Sequence, residues 1–88
     1  MLKPEPTTRF RRELRQAGRR GWNVALLEGV VRTLAQGDPL PAKYRDHSLV
    51  GEWLGSRELH IQPDWLLIYR VDGATLHLER TGTHSDLF

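Results

Sequence analysis

The 88-residue sequence contains no cysteine. This absence excludes a disulfide framework and a cysteine-ligated zinc site, and it is typical of a reducing compartment. Long hydrophobic runs are also missing, because the longest apolar segment comprises the five residues 65–69. A transmembrane helix needs about 20 such residues, and the first six residues lack the apolar stretch of a signal peptide. We therefore expect a cytoplasmic protein without membrane contact, with one domain spanning residues 1–88.

Positive charge is concentrated near the N-terminus. The formal net charge is +2, but residues 1–36 carry +5 and residues 37–88 carry −3. A basic cluster of this kind favours a polyanion, because each neutralised phosphate releases counterions. A solvated helix face, or a surface covered by an acidic partner, explains the same pattern. The cluster comprises Lys3, Arg9, Arg11, Arg12, Arg15, Arg19 and Arg20.

Two amphipathic helices are predicted in the first 37 residues. Thr7 or Thr8 can cap a helix that begins near Arg9 and stops near Gly21. Asn23 can cap a second helix, which a glycine at position 37 closes. Apolar side chains recur with helical spacing in both segments, at positions 10, 14 and 17 and at positions 27, 30, 31 and 34.

The segment after residue 41 has the pattern of short strands separated by turns. Asp72-Gly73 predicts a tight hairpin turn, and a short strand at residues 2–3 is restricted to a sheet edge by Pro4 and Pro6. The other predicted strands end near residues 53–54 or cover residues 57–61, 65–71 and 74–80. The predicted fold class is α+β, with two N-terminal antiparallel helices packed on a small, mainly antiparallel β-sheet.

The histidine spacing does not indicate a metal site. The four histidines are separated by 13, 17 and 7 residues, so no pair has the i, i+2 spacing of a strand or the i, i+4 spacing of a helix. A site assembled from dispersed ligands stays open, but nothing in the sequence supports one. We expect neither a metal nor another cofactor. No nucleophile-elbow motif surrounds a serine.

Three groups of residues have the side chains that metal-free RNA cleavage requires: 43–47, 60–65 and 80–88. The reaction needs a base for the 2′-OH proton, an acid for the leaving 5′-oxygen and a cation for the phosphate charge. Histidine serves as acid or base near neutral pH. Arginine remains charged and offers forked donors to phosphate, and aromatic rings can stack on a base.

These residues also have structural explanations. His60 and Asp64 can form a hydrogen bond that braces the intervening turn, and Trp65 can belong to the core. Strand alternation places Arg80 on the face of the buried leucines at positions 76 and 78 and places His77 on the opposite, exposed face. The sequence alone leaves these alternatives open.

Residues 40–53, 60–69 and 79–88 resemble the motifs of the YafQ-type toxins, a branch of the RelE/ParE toxin–antitoxin superfamily. The resemblance covers residues 8–88, and its three blocks occur in the same order. It implies a compact fold with two N-terminal helices on an antiparallel sheet. It also implies a metal-free endoribonuclease that cleaves mRNA in the ribosomal A site and leaves a 2′,3′-cyclic phosphate.

The resemblance also assigns roles to individual residues. His47, His60, Asp64 and His84 would transfer protons, and Arg80 would stabilise the transition state. Trp65 and Phe88 would hold the nucleotide, and the basic N-terminal cluster would contact ribosomal RNA. The implied partners are a DinJ/RelB-like antitoxin, the ribosome and mRNA, with operator DNA contacted only through the antitoxin. A ParE-like gyrase inhibitor and an inactive antitoxin-binding module remain alternatives on the same fold.

Overall fold

The computed structural model describes residues 1–88 and contains a five-stranded sheet and three helices. In chain order the elements are β1 (Lys3–Pro6), α1 (Thr8–Arg19), α2 (Val24–Gln36), β2 (His47–Ser48), β3 (Arg57–Gln62), β4 (Trp65–Asp72), β5 (Thr75–Gly82) and α3 (His84–Leu87). Two short 3-10 helices, Ala42–Tyr44 and Gly51–Trp53, lie between α2 and β3. None of the helices has the length and apolar content needed to cross a bilayer.

The sheet has the strand order β1-β5-β4-β3-β2. β1 pairs in parallel with β5, and every other pair is antiparallel. The side chains that α1 and α2 bury lie in one cluster with apolar residues of β3, β4 and β5. Both long helices therefore pack on the same sheet face, and the predicted α+β fold class is confirmed.

Capping residues set the helix boundaries as predicted. The Thr7 side chain accepts a hydrogen bond from the Phe10 amide at the start of α1. The Asn23 side chain accepts one from the Ala25 amide at the start of α2. Gly37 ends α2 in the left-handed conformation, which glycine adopts without a Cβ clash.

The edge strand β1 is longer than predicted and contains both prolines. The Lys3 amide donates to Ala74, and the Thr7 amide donates to Leu78. Since alternate residues of a strand direct their amides to opposite sides, Pro4 and Pro6 occupy positions whose nitrogens face away from β5. The prolines therefore interrupt no hydrogen bond of the sheet.

The predicted strand near residues 53–54 is not present. Residues 51–53 form a 3-10 helix, and Leu54 is exposed. The strand in this region is the two-residue β2, which pairs with the start of β3. A glycine at position 51 with a positive φ of 69° bends the chain at the start of the 3-10 helix.

The two faces of the sheet have different surroundings. The helix face carries the main core, which includes Leu59, Leu67 and Leu76. The opposite face has a cluster of only three buried residues, formed by Leu66, Ile68 and Leu87 of α3. We call this second surface the histidine face, and it includes Glu58, His60, Leu66, Ile68 and Arg80 by cross-strand pairing.

A β-bulge in β5 overturns the predicted orientation of Arg80. Tyr69 pairs with Leu78, whereas Ile68 pairs with Arg80, so one residue of β5 is extra. The extra residue reverses the alternation beyond Leu78. Arg80 therefore lies on the histidine face with Ile68, not on the face of the buried leucines.

Candidate active site

The predicted site residues His47 on β2 and His60 on β3 lie beside a carboxylate that was not predicted, that of Glu58 on β3. His47 is the cross-strand partner of Glu58, and His60 lies two residues beyond Glu58 on the same strand. Residues at i and i+2 of a strand share a face. The sheet therefore places both histidines beside one carboxylate.

The Glu58 carboxylate lies between the two imidazoles. Its Oε1 atom is 3.6 Å from Nε2 of His47 and 3.8 Å from Nε2 of His60. The Glu58 side chain is only 5% exposed, whereas that of His47 is 50% exposed. One carboxylate therefore lies next to a ring nitrogen of each of the two histidines.

Backbone carbonyls fix the other nitrogen of each ring. Nδ1 of His47 lies 2.7 Å from the carbonyl oxygen of Arg45, and Nδ1 of His60 lies 3.2 Å from that of Pro63. A carbonyl only accepts hydrogen bonds, so Nδ1 is the donor in both rings. Each neutral imidazole therefore presents Nε2 as the basic nitrogen, directed towards Glu58.

His84 and Asp64 form a second pair beside the first group. Asp64 Oδ1 accepts a hydrogen bond from the His84 amide at 3.1 Å and lies 3.4 Å from Nδ1 of the ring. The rings of His60 and His84 are 5.9 Å apart between centroids, and Phe88 lies 6.1 Å beyond His84. Phe88 is 60% exposed, so its ring is available to a ligand.

The helix α3 that carries His84 was not predicted. Thr83 and Asp86 form a capping box in which each side chain accepts the other's amide. Arg20 at the end of α1 donates to the Asp86 carboxylate at 2.8 Å. The hydrogen bonds from Arg20 and then from the Thr83 amide lower the pKa of Asp86 to about 2. Because Arg20 forms this ion pair, it is not a free cation for ribosomal RNA.

Asp46 braces the segment that carries His47. Its carboxylate accepts hydrogen bonds from the Tyr69 hydroxyl at 2.7 Å and from Arg57 Nε at 3.0 Å. Burial of Tyr69 and its hydrogen bond to Asp46 raise the pKa of the phenol well above its usual range. Asp46 therefore ties the segment before His47 to side chains of β3 and β4.

Arg80 is held by a carboxylate of α1. Its Nε and Nη2 atoms donate to Glu13, and the Arg80 side chain is 12% exposed. Nη2 is also 3.5 Å from the Asp86 carbonyl oxygen, whereas Nη1 makes no hydrogen bond within the chain. Arg80 thus lies between α1 and α3 with one donor group uncommitted.

Trp65 does not lie among the histidines. Its indole is 2% exposed and belongs to the core of the helix face. The indole N–H donates to Thr81, and the ring packs 5.1 Å from that of Trp22. A ring buried in this way offers no face to a nucleotide, so the structure corrects its predicted stacking role.

The remaining basic residues of the N-terminal cluster are exposed and form no salt bridge. They are Lys3 on β1 and Arg9, Arg11, Arg12, Arg15 and Arg19 on α1. The helix buries Phe10 and Ala17 against the sheet. Its solvent side is therefore a broad cationic surface.

Glu58 was not predicted from the sequence, although a signal for it exists. The signal is the i, i+2 spacing of a carboxylate and a histidine, which places both side chains on one face of a strand. Glu58 lies two residues before His60 in a predicted strand. Its burial has no signal in the sequence, since β2 and α3 determine how much of this face is covered.

The family profile described as the bacterial toxin of type II toxin-antitoxin systems, YafQ, matches residues 2–88. The chain belongs to the YafQ toxin family. The mRNA interferase toxin YafQ of Escherichia coli strain B / BL21-DE3 is 39% identical over 85 residues, covering 96% of this chain and 92% of that protein. The mRNA interferase toxin YafQ of strain K12 is 56% identical over 50 residues, which span 57% of this chain and 54% of that relative.

Solved structures of YafQ and related toxins share the whole fold. YafQ in the E. coli DinJ–YafQ complex is 37% identical, with a TM-score of 0.92 over 100% of this chain and 99% of the other. A metal-bound toxin from Helicobacter pylori is 41% identical, with a TM-score of 0.94 and complete coverage of both chains.

Proposed function

We propose that this YafQ-family chain is the toxin of a type II toxin–antitoxin pair and acts as an mRNA interferase, an endoribonuclease that cleaves mRNA in the ribosomal A site. The observation that carries the proposal is the grouping of His47, His60 and His84 with two carboxylates on the histidine face, where the His47 and His84 side chains are exposed. The two E. coli relatives bear the name mRNA interferase toxin. The same chemistry in this chain would act on cytoplasmic mRNA.

The reaction requires two proton transfers at one phosphate. The 2′-OH loses its proton, and the 2′-oxygen forms a bond to phosphorus. The bond from phosphorus to the 5′-oxygen breaks, and the 5′-oxygen takes up a proton. The products are a 2′,3′-cyclic phosphate and a 5′-OH end, and no metal or other cofactor enters the proposal.

The histidines provide two separate groups for these transfers. Glu58 with His47 and His60 forms one, and Asp64 with His84 forms the other. The rings of His60 and His84 are neighbours, 5.9 Å apart between centroids, so a phosphate bound across their edges can contact one ring from each group. One group takes the 2′-OH proton and the other protonates the leaving oxygen.

Arg80 and Phe88 complete the proposed site. Glu13 binds Nε and Nη2 of Arg80, which leaves Nη1 to donate to the charge that develops on phosphate. The exposed ring of Phe88 stacks on the base of a bound nucleotide. Trp65 has a packing role in this proposal, since it supports the turn that carries Asp64.

The proposed partners follow from the charge distribution and the family. The exposed arginines of α1 contact phosphates of ribosomal RNA. An antitoxin of the DinJ type binds and inhibits the toxin, a proposal supported by the complex that E. coli YafQ forms with DinJ. Operator DNA is contacted through the antitoxin only.

Cleavage on programmed ribosomes tests the proposal. The wild type is expected to cut the A-site codon and leave a 2′,3′-cyclic phosphate. His60→Ala and His84→Ala are each expected to lower the rate by about 100-fold or more. His77→Ala is the matched control, because His77 on β5 lies outside both groups, and it is expected to cut at the wild-type rate. Intact mRNA with the wild type would reject the proposal.

Cleavage in the presence of a chelator tests whether the chemistry is metal-free. This test is needed because a related toxin from H. pylori has been solved with bound metal. Phenanthroline removes transition metals and spares the Mg²⁺ that ribosomes need. We expect an unchanged cleavage rate after this treatment. A rate that falls and returns when a metal is added would show that the metal-free mechanism is wrong.

A further inference from the structure

A cleft of about 520 Å³ lies next to His60 at the open edge of β3. One wall consists of Lys43, Tyr44 and Arg45, and the other includes His60, Gln62 and Pro63. β2 pairs only with residues 57 and 58, so the edge of β3 beyond Glu58 has no strand beside it. The cleft therefore leads from the histidines over the sheet edge towards the helix face.

The charge of this cleft differs from that of the histidine group. No acidic residue lines it, whereas Glu58 and Asp64 accompany the histidines. Lys43 and Arg45 are both exposed and form no salt bridge. Every other lysine or arginine after residue 36 is paired with a carboxylate: Arg57 with Asp46, Arg70 with Asp72 and Glu79, and Arg80 with Glu13. The only lysine and arginine of this half of the chain without a salt bridge therefore lie at the cleft.

The backbone of Arg45 links the cleft to the catalytic geometry. Arg45 is the single non-glycine residue with a positive φ, at 52°, a conformation that is uncommon outside glycine and asparagine. Its carbonyl accepts the hydrogen bond from Nδ1 of His47. The same residue thus orients a histidine through its backbone and places a cation in the cleft through its side chain.

An aromatic surface completes the cleft. The ring of Tyr44 is half-buried, and the Lys43 ammonium lies 5.3 Å from its centroid. A ring next to two cations that form no salt bridge suits a nucleotide, whose base packs against the ring while its phosphate binds the cations.

We propose that this cleft binds the nucleotide adjacent to the scissile phosphate, with Lys43 and Arg45 on its phosphodiester and Tyr44 against its base. The proposal rests on the ribonuclease function above, because it extends the path of the same RNA chain. The cleft thereby supplies the positive charge that the carboxylate-rich histidine group lacks. An RNA that carries a second phosphodiester next to the cleaved one is the substrate class it selects.

A short RNA that cannot be cleaved provides the test. A fluorescein-labelled trinucleotide with 2′-O-methyl riboses is titrated into the purified chain, and amide chemical shifts map its position. We expect the largest shifts at Lys43, Tyr44 and Gln62. Arg45→Gln and Lys43→Gln are each expected to weaken binding about fivefold and to lower the slope of log K against log salt by about 0.7.

Two variants separate charge from backbone effects. Arg45→Lys keeps the cation and is expected to bind within twofold of the wild type. Arg32→Gln removes one positive charge from α2, away from the cleft, and is expected to leave the affinity unchanged. An Arg45→Gln protein that binds as tightly as Arg32→Gln would overturn the proposal, as would millimolar trinucleotide that shifts no residue of the cleft.

Binding to the cleft and cleavage on ribosomes can fail independently. If the wild type cuts A-site mRNA but the trinucleotide does not bind the cleft, the subsite is wrong and the nuclease function stands. If the cleft binds the trinucleotide but mRNA stays intact, the binding site stands and the nuclease function fails. A hexaglutamate peptide that shifts the cleft residues when RNA does not would assign the cleft to an acidic protein partner and overturn the proposal.

Discussion

Glu58 is the carboxylate towards which Nε2 of both His47 and His60 is directed. Glu58→Gln keeps the shape of the side chain and removes its charge. We expect cleavage on programmed ribosomes to slow by about 10- to 100-fold, because a protonated imidazole loses its counter-charge. The free energy of unfolding is expected to change little, since no hydrogen bond to the carboxylate is lost.

A carboxylate elsewhere on the sheet provides the control for Glu58. Glu79 accepts a hydrogen bond from Ser56 and lies 4.0 Å from Arg70, with no histidine as a partner. Glu79→Gln is expected to cleave at the wild-type rate. Equal rates for the two variants would remove Glu58 from the proton-transfer group.

Tyr69 makes the stability of the fold sensitive to alkaline pH. Burial and the Asp46 hydrogen bond raise the pKa of Tyr69 above its unfolded value of 10.0. Well below pH 10 the phenol is protonated in both states, whereas from about pH 10 upwards the unfolded chain ionises before the folded one. Stability is therefore lost as pH rises beyond 10, by about 1.4 kcal/mol per pH unit for this group.

Tyr69→Phe tests this dependence by urea unfolding between pH 7 and pH 12. The variant is expected to lose about 1 kcal/mol at pH 7, the usual value of one hydrogen bond. Its stability is then expected to fall less steeply than that of the wild type above pH 10. Tyr44→Phe is the control, since the Tyr44 hydroxyl makes no hydrogen bond within the chain. Parallel curves for Tyr69→Phe and the wild type would contradict the prediction.

At the scale of elements, α3 depends on Asp86 for its position. The pKa of Asp86 is about 2, against 3.8 in the unfolded chain, because Arg20 and Thr83 donate to it. This contribution to stability is fully present above pH 4 and is lost as pH falls towards 2. In the Asp86→Asn variant we expect the free energy of unfolding to depend less on pH between pH 4 and pH 2.

Asp86→Asn is also expected to slow cleavage at neutral pH by about 10- to 100-fold, because α3 carries His84 and small displacements of a catalytic group are costly. The exposed Asp38 gives the control, since Asp38→Asn removes a carboxylate that forms no ion pair. An Asp86→Asn protein that keeps the acid dependence of the wild type would show that the Arg20 contact does not stabilise α3.

The elements that were predicted correctly have strong local signals. Capping by Asn23 and the hairpin turn at Asp72-Gly73 depend on residues within a few positions of each other. The β-bulge near Arg80 has no such signal, since it arises where α1 meets the edge of β5 and Glu13 accepts from the Thr81 amide. α3 likewise depends on a distant residue, Arg20.

The sequence predicted which residue types form the candidate site, but not how they are arranged. The motif blocks identified His47, His60 and His84 from the sequence, but they did not show that Glu58 lies between the first two. The same blocks included Trp65, whose burial depends on α1 and Trp22. A side chain that matches a motif therefore does not reveal whether it packs in the core or contacts substrate.

At the scale of the whole molecule, the sheet separates stability from chemistry. The helix face holds a cluster of 12 buried residues, whereas the histidine face holds three. Burial of apolar area is the main stabilising term, so most of it comes from the side away from the site. The histidine face can consequently carry charged groups that a small core would not tolerate.

The helix α1 contributes to this core with one side and carries the cationic surface on its other side. Arg12, Arg15 and Arg19 are exposed and unpaired, so each can contact a phosphate of ribosomal RNA. We expect the triple glutamine variant to bind ribosomes more weakly and to lower the slope of log K against log salt by about 2 to 3. The rate at which it cleaves mRNA at a saturating concentration of ribosomes is expected to stay near the wild-type value. Its thermal stability is also expected to be unchanged, because these side chains contact neither the core nor the histidines. The Arg32→Gln protein controls for the loss of net charge. Its effect, multiplied by three, is the part of the change that does not depend on where the charges lie. A triple variant with the salt slope of the wild type would place the ribosome contact elsewhere on the molecule and leave the arginines as a solvated helix face.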